Sequence, residues 1–248
     1  MKQGVLVISH GSRNRTWVAK VEELLQQVHA ACPLEAAFLD MVEGRTIGEG
    51  MKRLEAQGVE EIIVVPLFVS SGSTHLQEIR YALGFTSHLD IKTWRHPLSI
   101  GARVIWTEPM NDHPKIRELL HDRVREFSVR PSEEMLMLVA HGSDVPGFKE
   151  RWQEMLEGLG STLCCELGLK GAVYATIHPD TIASRARTAS GEGRLIVVPV
   201  FLSPGYYTEK AIPKRLAGIP HRYSGRAYLP DQRVVLWLEE TIAAHLRR

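Results

Sequence analysis

Cysteine is scarce in this chain: Cys32, Cys164 and Cys165 are the only ones in 248 residues, and none has a CxxC spacing. That excludes a disulfide framework and fits a reducing cytoplasm. Cys164 and Cys165 are neighbours on what reads as a helix, where adjacent side chains diverge, so they are not taken as a shared metal site. Long apolar runs are also missing. The longest, 62–69 and 195–202, each contain a proline and fall far short of the ~20 residues that cross a bilayer. No basic-then-apolar leader opens the chain, so neither secretion nor membrane insertion is expected. Charge of one sign is missing too. A net charge of +1 argues against a global electrostatic partner such as nucleic acid or an anionic membrane, although a local basic patch stays open. No histidine-rich tail or iron–sulfur cysteine motif occurs.

What the chain does have is an ordinary soluble composition, 44% hydrophobic and 24% charged, and length for one large domain or two of usual size. It opens with VLVISHGSRNR, a branched apolar run that breaks into Ser9, His10, Gly11 and Ser12 before an amphipathic segment. That is how a buried strand delivers its carboxyl end to a helix, and it puts His10 at a strand tip. In open α/β sheets ligands bind at the carboxyl ends of the strands, so a titratable, metal-competent side chain there is a candidate by position.

The same device recurs at 136–143, LMLVAHGS, and with it a whole plan. AFLDMVEGRTI (37–47) aligns without gaps with AVYATIHPDTI (172–182), and VVPLFVSSG (64–72) with VVPVFLSPG (197–205). Strands at 5–9, 34–42, 61–69 and 103–106 alternate with helices at 17–31, 47–57, 75–83 and 114–127. In the second half, strands at 136–140, 172–177 and 195–202 accompany helices at 148–159 and 234–246. The alternation calls for α/β architecture with a parallel, doubly wound sheet in each of two tandem lobes. SVRPSE at 128–133 interrupts the apolar pattern, which places the division there: 1–129 and 130–248.

Three residues of the first half fall at the ends of three successive strands: His10, Glu43 and His75. Adjacent strands lie about 4.8 Å apart, so these side chains can converge on one ion or one proton. Two imidazoles and a carboxylate suit Co2+, Fe2+, Ni2+ or Zn2+ with coordination positions left open. Spacing alone leaves the blander readings standing, with Glu43 a solvated turn carboxylate and His75 a helix-start residue bonded to backbone. His96 and His113 are read as structural.

At these residues the sequence resembles the CbiX-type sirohydrochlorin chelatases, the class II family that inserts Co2+ or Fe2+ into a reduced tetrapyrrole. The likeness lies in the opening VISHGSR, in FLDMVEGRTI, in VVPLFVSSGSTHLQEI and in EPMNDHPKI at 108–116. It implies that His10 and His75 handle the metal, that Glu43 is the active-site carboxylate and proton acceptor, and that two Rossmann-like lobes face a central cleft. The first lobe would carry the metal site and the second, a degenerate repeat, would form the opposite wall. Fusion of the lobes would make a monomer sufficient, with a homodimer still open. The partner implied is a small-molecule tetrapyrrole, with no cofactor beyond the divalent metal substrate. Because sirohydrochlorin carries many carboxylates, Arg13, Arg45 and Arg80, with Ser12, Ser73 and Thr74, are the substrate-binding candidates. Their alternatives are solvated surface arginines and helix caps.

The second half departs from the pattern. His141 matches His10, but His178 stands where Glu43 does and Thr208 where His75 does. A second metal site on His141 and His178 is left open. So are the choice of metal and the pathway, cobalamin or sirohaem. Two rival classes fit the residues less well. A metal- or tetrapyrrole-binding carrier has no need of Glu43 as proton acceptor, and a phosphoryl-transfer enzyme lacks the glycine-rich cradle with lysine and leaves His75 unexplained.

Overall fold

The computed structural model describes residues 1–247. The first half runs β1 (Gln3–Ser9), α1 (Arg15–Gln26), β2 (Leu34–Phe38), α2 (Ile47–Ala56), β3 (Glu61–Pro66), α3 (Thr74–Ala82) and β4 (Arg103–Trp106). Its four strands form one parallel sheet in the order β2-β1-β3-β4. After α4 (Pro114–Arg125) come β5 (Glu134–Gly142), α5 (Phe148–Leu167), β6 (Gly171–His178), α6 (Ile182–Glu192), β7 (Arg194–Val200), α7 (Ile212–Leu216), β8 (Arg222–Tyr223) and α8 (Gln232–His245). The second sheet is also parallel, in the order β6-β5-β7-β8. Both sheets place their first strand second in line, so the duplication seen in the sequence is a duplication of topology.

The continuous apolar runs explain the parallel arrangement. Ile62, Ile63, Val64 and Val65 of β3 are completely buried, as strands covered by helices on both faces must be. Leu6, Ile8, Met51, Leu54 and Ile79 cluster with Ile62 and Val64 on one face of the first sheet, and Met137, Val139, Ile182, Val197 and Ile212 form the matching core of the second. Local chemistry fixes where helices begin. Asn14 accepts from the Thr16 N–H to cap α1, Thr46 and Glu49 form a reciprocal capping box on α2, and Pro114 takes the first position of α4.

The division of the chain differs from the sequence expectation at 129–130. One compact unit comprises Met1–Met110 with the segment from Val235, and the other Asn111–Val234. Helix α4, whose buried face carries Ile116, Leu119, Leu120 and Val124, packs on α5 and β7 and therefore belongs with the second unit. The far end of α8 belongs with the first. Gln3 donates to the His245 carbonyl at 3.4 Å, and Arg247 pairs at 3.0 Å with the fully buried carboxylate of Glu61. A break in apolar pattern marks the end of a helix, and which unit that helix packs on is a tertiary matter. The second strand is also shorter than expected, because residues 39–46 turn back to pair Phe38 with Thr46. In contrast, α5 is longer, running to a left-handed Gly168 cap.

The 128–133 stretch is held down rather than loose. It contains a 3-10 turn, Pro131–Glu133, and the buried Glu134 carboxylate accepts bonds from Ser128 Oγ (2.5 Å), Val129 N (2.8 Å) and Arg130 N (3.0 Å). Burial opposes the charge on Glu134, yet those bonds prevail and hold its pKa below the ordinary value. A depressed carboxylate pKa stabilises the fold above the unfolded value of about 4.3 and loses that contribution as pH falls through the folded value. Replacing Glu134 with Ala should therefore cost about 1–3 kcal/mol at neutral pH and flatten the acid limb of the stability curve, measured by urea unfolding between pH 3 and 7. Equal destabilisation at every pH would disprove the charge-based account.

Candidate active site

His10 follows directly on β1, and the backbone around it is unusually constrained. Its carbonyl accepts the Asp40 N–H at 3.1 Å, and the Ser9 carbonyl accepts that of Leu39 at 2.9 Å, so the chain leaving β2 is laced to the end of β1. Gly11 then adopts φ +90, and a Cβ placed there would lie 1.9 Å from the Asp40 carbonyl oxygen. No other residue fits that crossing. Glycine after the histidine is thus a requirement of the turn that aims the ring.

The ring itself is tied. His10 Nδ1 lies 2.9 Å from the Gly11 carbonyl, an atom that can only accept, so Nδ1 carries the proton and the lone pair of the neutral ring sits on Nε2. His75, the second residue of α3, is held in the same tautomer by different means. Its Nδ1 donates to Glu78 Oε2 at 2.9 Å, and Glu78 in turn accepts from Thr93 Oγ1 at 2.8 Å. The Glu78 side chain is only 13% exposed. Burial works against its charge, but the hydrogen bonds from His75 and Thr93 and the nearby Arg95 guanidinium bring its pKa below the usual carboxylate range. An ionised Glu78 fixes the tautomer and orientation of the His75 ring, the part a carboxylate plays behind an imidazole that binds metal. The two rings meet edge to face, centroids 4.5 Å apart at 74°, with Phe68 6.5 Å from His75 on the buried side.

Glu43 is placed differently. It lies exposed in the turn after β2, on the rim of a cavity of about 640 Å³ walled by Trp94, Arg95, Leu98 and Met41. Among the described residues no three His, Cys, Asp or Glu side chains converge as a metal cluster, so the structure brings His10 and His75 together and does not bring Glu43 to them. The carboxylate that does touch the pair is Glu78. The sequence carried its signal, the i, i+3 spacing from His75 on one helix face.

The remaining candidates separate by what they already hold. Arg13 is exposed and has no ion-pair partner among the described residues. Arg45 pairs with Glu22 and lies 4.9 Å over the Phe38 ring, while Arg80 is flanked by Phe85 (5.7 Å) and Trp106 (5.4 Å). Ser12 accepts the Asn14 N–H, and Ser73 and Thr74 form the start of α3, Ser73 as its cap residue without a side-chain bond. His113 accepts the Lys115 N–H in capping α4, a structural role, and His96 lines the cavity beside Glu43.

Fold and paired histidines together define the class: a two-lobed, parallel-sheet α/β protein of chelatase-like architecture. The chain belongs to the CbiX family, which matches it twice, over residues 4–127 and 135–243. Among relatives, the sirohydrochlorin cobaltochelatase of Methanopyrus kandleri is 28% identical over 136 residues, covering 49% of this chain and 94% of that one. The relative is thus about one lobe long. Among solved structures, SirB from Bacillus subtilis with Fe3+ superposes with a TM-score of 0.71 at 20% identity, covering 98% of this chain and 95% of that one. The sirohydrochlorin chelatase SirB from Bacillus subtilis subspecies spizizenii in complex with cobalt gives 0.69 at 19% identity, covering 99% and 97%. These two likenesses establish a common two-lobe fold.

Replacing Glu78 with Ala should weaken Co2+ binding at His75 about 10–100-fold, followed on the ring resonances of His75 itself. Glu78→Gln, which keeps an acceptor without the charge, should lose less. If neither variant changes the affinity, Glu78 is only a helix-surface partner.

Proposed function

We propose that this protein is a sirohydrochlorin chelatase that inserts a divalent metal, Co2+ or Fe2+, into sirohydrochlorin, as a cytoplasmic enzyme of cobalamin or sirohaem synthesis. The observation that carries the reading is the His10–His75 pair, with both Nδ1 atoms engaged so that both neutral rings carry their lone pair on Nε2. Membership of the CbiX family and a relative named for the reaction supply the substrate. One chain carrying both lobes is the working unit in this reading.

Metal insertion exchanges two pyrrole N–H protons for one divalent cation. The ion must lose water, and two protons must find acceptors. A pair of imidazoles without a third protein ligand suits the first need. It holds a cation while leaving most of its coordination sphere to water and then to ring nitrogens, and it releases the ion readily once those nitrogens bind. A storage protein gains nothing from so open a site, which favours the chelatase over the carrier reading. For the second need, the solvent-facing Glu43 takes the two pyrrole protons one after the other and passes each to water. Arg13, exposed and uncommitted, answers a substrate carboxylate, with Ser12, Ser73 and Thr74 as further donors. Arg45 and Arg80 already stack on aromatic faces, so they contribute positive field more than direct contacts. Ni2+ and Zn2+ meet the same two nitrogens and are expected as competing substrates.

Mixing purified protein with sirohydrochlorin and Co2+ and following the absorption change tests the proposal. The wild type should metallate the ring, His10→Ala and His75→Ala should fall to the spontaneous rate, and Glu43→Gln should lose about 10²-fold in rate while still binding Co2+. Unchanged rates in both histidine variants would refute the site.

A further inference from the structure

The second lobe lacks the histidine that answers His75, yet it has not lost a histidine pair. Thr208, at the aligned position, is buried, and its hydroxyl is used within its own turn, accepting from Gly205 N at 3.0 Å and donating to the Gly205 carbonyl at 3.2 Å. The second imidazole comes from the other side of the central strand instead. His178 ends β6, and His141 lies beside it near the end of β5, in the stretch where the ladder pairs Gly142 with His178. The ring centroids are 5.0 Å apart at 44°, close to the 4.5 Å of the first lobe's pair.

The outer contacts repeat as well. His141 Nδ1 donates to the Gly142 carbonyl at 3.1 Å, the counterpart of His10 on Gly11, which puts the neutral ring's lone pair on Nε2. Gly142, at φ +74, allows no side chain, since a Cβ would sit 2.2 Å from the His178 carbonyl oxygen. Asp144 Oδ2 stands 3.6 Å from His178 Nδ1, a charge that favours the proton on that nitrogen and the lone pair on Nε2, as Glu78 does for His75. Tyr207 meets His141 edge to face at 5.4 Å and stacks on Phe201 at 5.8 Å, which backs the ring with apolar surface. Both histidines are exposed, so an aquated ion reaches them without opening the fold.

We propose that His141 and His178 form a second divalent-cation site, taking a borderline first-row ion such as Ni2+, Cu2+ or Zn2+ on two imidazole nitrogens with water filling the remaining positions. Imidazole suits these ions, and the Irving–Williams order makes Cu2+ the tightest probe. The site is independent of the chelatase reading, because it uses neither His10 nor His75.

Equilibrium dialysis with Ni2+ and electron paramagnetic resonance with Cu2+ test it, using the full chain with His10 and His75 both changed to Ala. That variant should still bind one equivalent of Ni2+ and show two imidazole nitrogens on Cu2+. Adding His178→Ala should weaken Ni2+ by at least about tenfold and leave at most one imidazole nitrogen, while the circular dichroism spectrum stays unchanged. Absence of binding in the double variant, or binding that survives His178→Ala, would overturn the proposal. Failure of the chelatase reading would show separately, in the insertion assay, and would not alter this stoichiometry.

Discussion

His10 leaves β1 at a point where its own carbonyl is already taken by Asp40 and where the next residue has no room for a side chain. From that crossing comes the rest of the candidate site. The Gly11 carbonyl is turned back to receive Nδ1 of the ring, and the ring is presented edge to face against His75 with its lone pair on the far nitrogen. A histidine on a freer turn would sample both tautomers and several rotamers. In this fold, positional accuracy is supplied by backbone hydrogen bonds between strand ends, which are as rigid as the sheet that carries them.

The two lobes use one topology with unequal chemistry. Both repeat the strand order and the constrained His-Gly turn after the central strand. They differ in where the second imidazole is drawn from: the start of α3, beyond β3, in the first lobe, and the end of β6 in the second. A parallel sheet allows this, since loops on either side of the central strand reach the same edge. Loss of a histidine at one aligned position is therefore a poor guide to loss of a histidine pair. The relative of about one lobe's length and the two matched family regions fit a chain that holds two copies of one unit.

Much of this was legible in the sequence because the signals were local. Continuous β-branched runs at 61–69 and 195–202 foretold buried parallel strands, observed at Glu61–Pro66 and Arg194–Val200, and the repeated HGS located both strand tips. What was not legible depended on packing between distant segments. The 128–133 break ends a helix, yet the units divide at residue 110 and within α8, because the buried faces of α4 and the chain's end choose their own neighbours. The short strand β8 has only two residues and no pattern to read. In the site, the pairing of His10 with His75 followed from strand order, whereas Glu78 was passed over because a helix carboxylate near a histidine looks like any solvated charge. Its bond to His75 and the company of Thr93, far off in sequence, give it its role.

The central claim is that His10 and His75 are held, before any metal arrives, as Nδ1-protonated imidazoles with Nε2 as the ligand atom of both. Long-range 1H–15N correlation of the histidine rings in metal-free protein at neutral pH, repeated after adding Zn2+, tests it most directly. The account predicts the Nδ1–H tautomer for both residues and a shift of both Nε2 resonances when the ion binds. An Nε2–H tautomer at either ring, or Nε2 resonances unmoved by Zn2+, would contradict it.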